Sequence, residues 1–174
     1  MNDTGFGKEY LAEAVRGFQG QKAMAEKAFA QLKPEDFHWK PDAESNGVAN
    51  LIQHLHGNMI SRWTDFLTTD GDKPTRDRDA EFEDHPQPRE ELMSLWTKGW
   101  ACLFDAVGRL TEDDLRKAVR IRGQELTAVQ AIQRQLMHYA NRVGQIVYIA
   151  KQVKGSGWKT LSIAKGQSKS YKPG

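Results

Sequence analysis

Cysteine is nearly absent from this chain: of 174 residues only Cys102 carries a thiol, which excludes an internal disulfide framework. Cys102 sits in the apolar run WACLF, where a small buried hydrophobe is the favoured reading over a nucleophile. No apolar run approaches the length that crosses a bilayer, and MNDTGFGKEY lacks the basic start and apolar stretch of a signal peptide. The expectation is a cytoplasmic protein with no membrane partner. A glycine-rich phosphate loop, a nucleophile elbow and an acidic pair of telling spacing are also missing, so no standard catalytic motif applies. There is no internal repeat.

Excess charge is small as well. The formal net charge is +2, but it is unevenly placed: the last 24 residues, from Lys151, hold six lysines and no acid, which leaves the rest of the chain net negative by about four. This cationic strip has no arginine cluster and only Trp158 and Tyr171 as aromatics, too little to make nucleic acid an expected partner. With 39% hydrophobic and 28% charged residues, the chain fits one domain over 1–174. Residues 152–174 read as a basic tail docked on that domain through Trp158, Leu161 and Ile163.

What the chain has in abundance is helical spacing. Val129, Ile132, Leu136, Tyr139, Val143, Ile146, Ala150 and Val153 alternate by three and four, which predicts one long helix with a continuous packing stripe. Thr127 and Gln130 have the capping-box spacing that would start it, and KGSG supplies a glycine stop. After HPQP a second stripe runs Leu92, Trp96, Gly99, Leu103, Ala106, Leu110. Two more run Leu11, Val15, Phe18, Ala25, Phe29, Leu32 and Val48, Ile52, Leu55, Met59, Phe66. Four amphipathic helices imply an all-α four-helix bundle.

The connections are informative too. KPEDFHWKPDAESNG reads as a structured linker, and TTDGDKPTRDRDAEFEDHPQP is long and charged enough to be a crossover rather than a minimal turn. The acids of RDRDAEFED are expected on a solvated face or paired with Arg76 and Arg78. AVRIRGQELT alternates about a glycine and is a candidate β-hairpin ahead of the last helix.

Polar residues bordering the stripes mark a candidate site. His138, Arg142 and Gln145 follow i, i+4, i+7 beside the stripe of the last helix, and His54 with Asn58 share a face at i, i+4 on the second. His56 is turned roughly 200° from His54 on helix geometry and is expected outside. A bundle interior fed by polar side chains from different helices is where such proteins hold metals and ligands. Taken singly, a histidine bordering a core is more often a hydrogen-bonded packing residue. His38 and His85 read as surface or turn residues.

Three runs, NGVANLIQHLHGNMISRWTDFLTTDGDKPTRDRDAEF, RGQELTAVQAIQRQLMHYANRVGQIVYIAK and WKTLSIAKGQS, together resemble a bacterial branch of the DinB-like superfamily, the damage-inducible four-helix proteins also called YfiT-like metal-dependent hydrolases. The resemblance is specific in these runs and generic in the first helix. It implies a four-helix bundle, a homodimer, and a divalent metal, zinc or nickel, held by three histidines; some relatives transfer or isomerise low-molecular-weight thiols. Carried over by position, the first two ligands fall on His54 and His138, and the third falls on Arg142.

An arginine in that place has no lone pair to donate and carries a permanent charge. Two readings follow. In one, His54 and His138 still hold a metal for a hydrolase or a thiol S-transferase. In the other, the metal site is degenerate and Asn58, Arg142 and Gln145 help to bind a small molecule or anion.

Overall fold

The computed structural model describes residues 5–171. Four helices dominate it: α1 (Phe6–Phe29), α2 (Val48–Trp63), α3 (Arg89–Gly108) and α4 (Ala128–Lys154). A two-stranded antiparallel sheet of β1 (Ala118–Ile121) and β2 (Gln124–Thr127) precedes the last helix. This is the expected all-α bundle with its small hairpin. α2 packs most closely on α3 and α1 on α4, and shorter contacts join the two pairs. The 3₁₀ turns Pro34–His38, Ala80–Phe82 and Glu112–Arg116 lie in the connections between helices, and a further one, Gly155–Gly157, follows α4.

The stripes meet at an aromatic centre. Phe18 of α1 lies with its ring centroid 5.8 Å from Trp63 of α2, 6.5 Å from Trp100 of α3 and 5.8 Å from Tyr139 of α4, separations at which edge-to-face and tilted aromatic pairs attract. All four residues are buried. The Tyr139 hydroxyl accepts from Trp63 Nε1 at 2.9 Å and donates to Asn58 Oδ1 at 3.0 Å, so this hydroxyl is paired on both sides, whereas the buried Trp100 Nε1 meets no partner among the described residues.

Local chemistry sets the ends of α4. Thr127 and Gln130 form the reciprocal capping box, with Gln130 N–H donating to Thr127 Oγ1 at 3.2 Å and Thr127 N–H to Gln130 Oε1 at 2.8 Å. Gly155, at φ 52°, stops the helix in a backbone region that favours glycine. The hairpin turn places Arg122 and Gly123 at φ 57° and 72°, the pattern of a primed turn matched to strand twist. Asp70 caps it, accepting from Arg122 N–H at 2.9 Å and Gly123 N–H at 2.7 Å.

The structure differs from the sequence reading at several edges. Leu32, Phe66 and Leu110 lie just past the ends of their helices, yet each packs on the core from the following turn. The helix continues to Lys154, so the tail begins at Gly155 rather than 152. Trp158 and Leu161 pack against the bundle, and Gln31 clamps the backbone of Lys159 through bonds of 2.8 and 3.0 Å. Ile163 is 40% exposed and takes no part in the docking; the fixed backbone at Lys159 reaches only far enough to seat its near neighbours. Cys102 is half-buried rather than buried, with its sulfur 3.6 Å from Thr64 Oγ1. The tail's last residues, 172–174, lie outside the described ones.

Candidate functional site

Two helical rows face each other across one cavity. On α2, His54, Asn58 and Arg62 advance by one turn each, and on α4, Arg134, His138 and Arg142 do the same. The crossover adds Arg76 and Arg78, and the hairpin turn adds Arg122, so four segments of chain close a pocket of about 420 Å³. Six arginines line it, and among the described residues no aspartate or glutamate does.

His54 and His138 meet inside, with their Nε2 atoms 3.1 Å apart. The other nitrogen of His54, Nδ1, lies 2.9 Å from Glu81 Oε2. A carboxylate there calls for a proton on Nδ1, which leaves Nε2 of a neutral His54 to accept from Nε2–H of His138. Both imidazoles are held neutral. Burial pushes the His54 pKa below its ordinary value despite Glu81, with Arg142 and Arg76 adding to the effect. Burial, the neighbouring His54 and the arginines lower His138 further, to about 4.

Glu81 is the residue that organises this end of the site. It comes from the 3₁₀ turn of the crossover, is 8% exposed, and is gripped by Arg76 in a two-pronged bond of 2.7 and 2.8 Å. Burial pushes its pKa up, but the Arg76 and His54 hydrogen bonds outweigh that and hold it below the usual carboxylate value. Its carboxylate rests on Gly57 of α2, where an added Cβ would collide with it. Of the acids in RDRDAEFED, Asp77, Asp79, Glu83 and Asp84 stay exposed. Glu81 alone is buried. No periodicity marks it, and the only hint in the sequence is the glycine one turn beyond His54.

The remaining predicted residues divide. Asn58 lines the pocket but turns its carbonyl to Tyr139. Arg142 lines it as well, donating to Gln145 Oε1 at 3.2 Å, and its buried Nε has no partner among the described residues. Gln145 lines an adjoining cavity instead. It shares the face of His138, but seven residues of helix carry it about 10 Å along the axis, past the end of the pocket. His56 faces the other way and bonds the Leu95 carbonyl at 2.9 Å. His38 and His85 are exposed. Arg62 and Arg134, each one turn from a predicted residue on the same face, were legible by that spacing; Arg122 was not, because the hairpin delivers it from elsewhere.

The cations are unequally neutralised. Arg62 and Arg122 share Asp72, each at 3.2 Å, and Arg76 is spent on Glu81. Arg78 stands 3.8 Å from a largely exposed Asp79. Among the described residues Arg134 and Arg142 meet no carboxylate. A buried acceptor, Gln135 Oε1, is also unpartnered on the pocket wall, in a side chain only 4% exposed.

Comparison with known proteins places the chain in a family. A methylenetetrahydrofolate-tRNA-(uracil-5-)-methyltransferase, TrmFO of Rhizobium meliloti (strain 1021), is 30% identical over 127 residues, which is 66% of this chain and 27% of the enzyme. The chain thus spans about a quarter of the length of that relative. No solved structure gives a significant match. The model of the family described as "Protein of unknown function (DUF1572)" matches residues 5–167, and the chain belongs to that family.

Proposed function

We propose that this protein is a DinB-like bundle whose metal cavity has become a receptor for a small, multiply charged anion. The observation that carries this reading is the pocket with six arginines and, among the described residues, no lining acid. Such a cluster is costly to assemble unless an anion answers it, since like charges in a partly desolvated cleft repel. Arg78, Arg134 and Arg142 have the weakest internal compensation, so they match a ligand of two or three negative charges through charge-assisted bonds. The unpartnered Arg142 Nε and Gln135 Oε1 add one donor and one acceptor on the same wall.

A metal-dependent hydrolase or thiol S-transferase using His54 and His138 is the second reading. It is favoured by the converging Nε2 atoms and by the carboxylate behind His54, an arrangement common around metal-bound imidazoles. The donor set does not fit, however. A catalytic zinc site takes three protein ligands and keeps one position open. Here two imidazoles are available, Glu81 is committed to Arg76, and the third place holds a guanidinium. Among the described residues no three histidine, cysteine or acidic side chains are arranged so that they could hold one metal ion. Nothing of the methyltransferase's activity is carried over from a match to a quarter of its length.

Calorimetric titration with inorganic phosphate at low ionic strength tests the proposal. Binding is expected, weakening with added salt, and at least tenfold weaker in Arg142→Ala and Arg134→Ala. Unchanged affinity in both variants would refute it, as would zinc binding to the wild-type protein at micromolar concentration with phosphate ignored.

A further inference from the structure

The arginine pocket continues past Arg142. Asn141 lines both that pocket and a second cavity of about 440 Å³. On α4 the residues 134, 138, 141, 145 and 148 advance by three or four and so form one row on one face. From Asn141 to Tyr148 this row climbs about 10 Å. The two cavities are therefore parts of one trough, with a hydrogen-bonded seam between them: Arg142 Nη1 donates to Gln145 Oε1 at 3.2 Å, and Gln145 Nε2 to Asn141 Oδ1 at 3.1 Å.

The second half differs in chemistry from the first. Pro41, Tyr148 and Ile149 give it apolar walls, Gly144 leaves its floor open, and Glu44 is its single charged residue. Tyr148 is 65% exposed, and among the described residues its ring meets no other aromatic and no cation. An open ring beside apolar walls is a stacking platform for a flat ligand. Glu44 disfavours a second anionic group at that end and accepts from an amino or hydroxyl group. The trough is thus polarised, cationic at one end and apolar with one acceptor at the other.

We infer that the trough takes a phosphate monoester with an aromatic body, such as a nucleoside monophosphate, its phosphate among Arg78, Arg134 and Arg142 and its ring on Tyr148. This rests on the anion-receptor reading and adds to it the class of ligand. The six residues from Arg142 to Tyr148, a rise of about 9 Å, set the distance between head and ring. No bond is made or broken.

Titrating the full chain with inorganic phosphate, phenyl phosphate and adenosine monophosphate tests this separately from the receptor reading. All three are expected to bind, with the adenosine compound at least tenfold tighter than inorganic phosphate. Tyr148→Ala should abolish that gain and leave inorganic phosphate within twofold of wild type, while Tyr148→Phe keeps the gain. Tyr148 is exposed, so these variants should fold normally. If inorganic phosphate binds but the aromatic esters bind no tighter, or Tyr148→Ala leaves their advantage intact, the ligand class is wrong and the anion receptor stands. If none of the three binds, the receptor reading itself falls. Sedimentation of the same variants covers the other occupant of the groove: a wild-type dimer dissociated by Tyr148→Ala would assign the apolar half to a second copy and overturn the inference.

Discussion

Replacing Glu81 with glutamine should move stability and anion affinity in opposite directions. The side chains of Arg76 and Glu81 are only 6% and 9% exposed, and they are joined by two bonds of 2.7 and 2.8 Å. Removing one partner of such a pair leaves a buried charge unanswered, at a cost of about 3–5 kcal/mol. Glutamine keeps the shape and part of the hydrogen bonding, which points to the lower figure, about 3 kcal/mol. With a urea dependence of about 2 kcal/mol per molar, the unfolding midpoint should fall by about 1.5 M. The wild-type contribution has a defined pH range: because the folded pKa of Glu81 is depressed, it is present at neutral pH and lost as the pH falls through that pKa. The anion pocket responds the other way. A carboxylate behind the pocket disappears and Arg76, which lines it, is released. At about 6 Å and an effective dielectric near 20, one unit of charge is worth about 3 kcal/mol before screening, so phosphate should bind Glu81→Gln at least tenfold tighter. Phosphate at about 100 times its dissociation constant should then restore about 2.7 kcal/mol of the lost stability. Paired urea denaturation and calorimetry read both effects. A stability loss under about 1 kcal/mol would show the pair to be weaker than its geometry says. Phosphate binding that is unchanged or weaker would refute the link between Glu81, Arg76 and the pocket.

Two further substitutions probe the same walls. Arg142→His supplies a third imidazole where His54 and His138 already converge, and it removes a repelling cation, so zinc should bind at least tenfold tighter than to wild type and raise the melting temperature of the variant only; equal zinc affinity in the two proteins would mean that position 142 is not a lost ligand position. Tyr139→Phe strips the hydroxyl between Trp63 Nε1 and Asn58 Oδ1, leaving a buried donor unpaired at a cost of about 2 kcal/mol, and a midpoint shift in urea worth less than about 0.5 kcal/mol would show that the hydroxyl is not part of the structural framework.

Physically, the site is a bundle interior opened at one end. The aromatic centre of Phe18, Trp63, Trp100 and Tyr139 fixes the spacing of the helices. That spacing sets how far apart the rows on α2 and α4 stand. Tyr139 ties the two levels together, since its ring belongs to the core and its hydroxyl orients Asn58 at the pocket floor. The crossover and the hairpin turn, pinned to each other through Asp70, then bring their arginines over the opening.

What the sequence determined by itself was everything carried by local periodicity and capping. The alternation by three and four from Val129 to Val153 specified α4, Thr127 and Gln130 specified where it starts, and the glycine turn of AVRIRGQELT specified the hairpin. The same helical geometry put His54 and Asn58 on one face and His138 and Arg142 on another, and turned His56 away. Position along an axis was less legible: Gln145 has the right face but lies two turns beyond His138 and lines the adjoining cavity. Tertiary structure alone decided the rest. Glu81 and its neighbours Asp79 and Glu83 are chemically alike in an aperiodic loop, and only the packing of that loop on Gly57 buries the first and leaves the others in water. Arg62, Arg76, Arg122 and Arg134 belong to four separate segments, so their shared pocket is a property of where the helices and loops meet. Period and capping act within a few residues of the chain, whereas the charge of a cavity is summed over segments that only the packed core brings together.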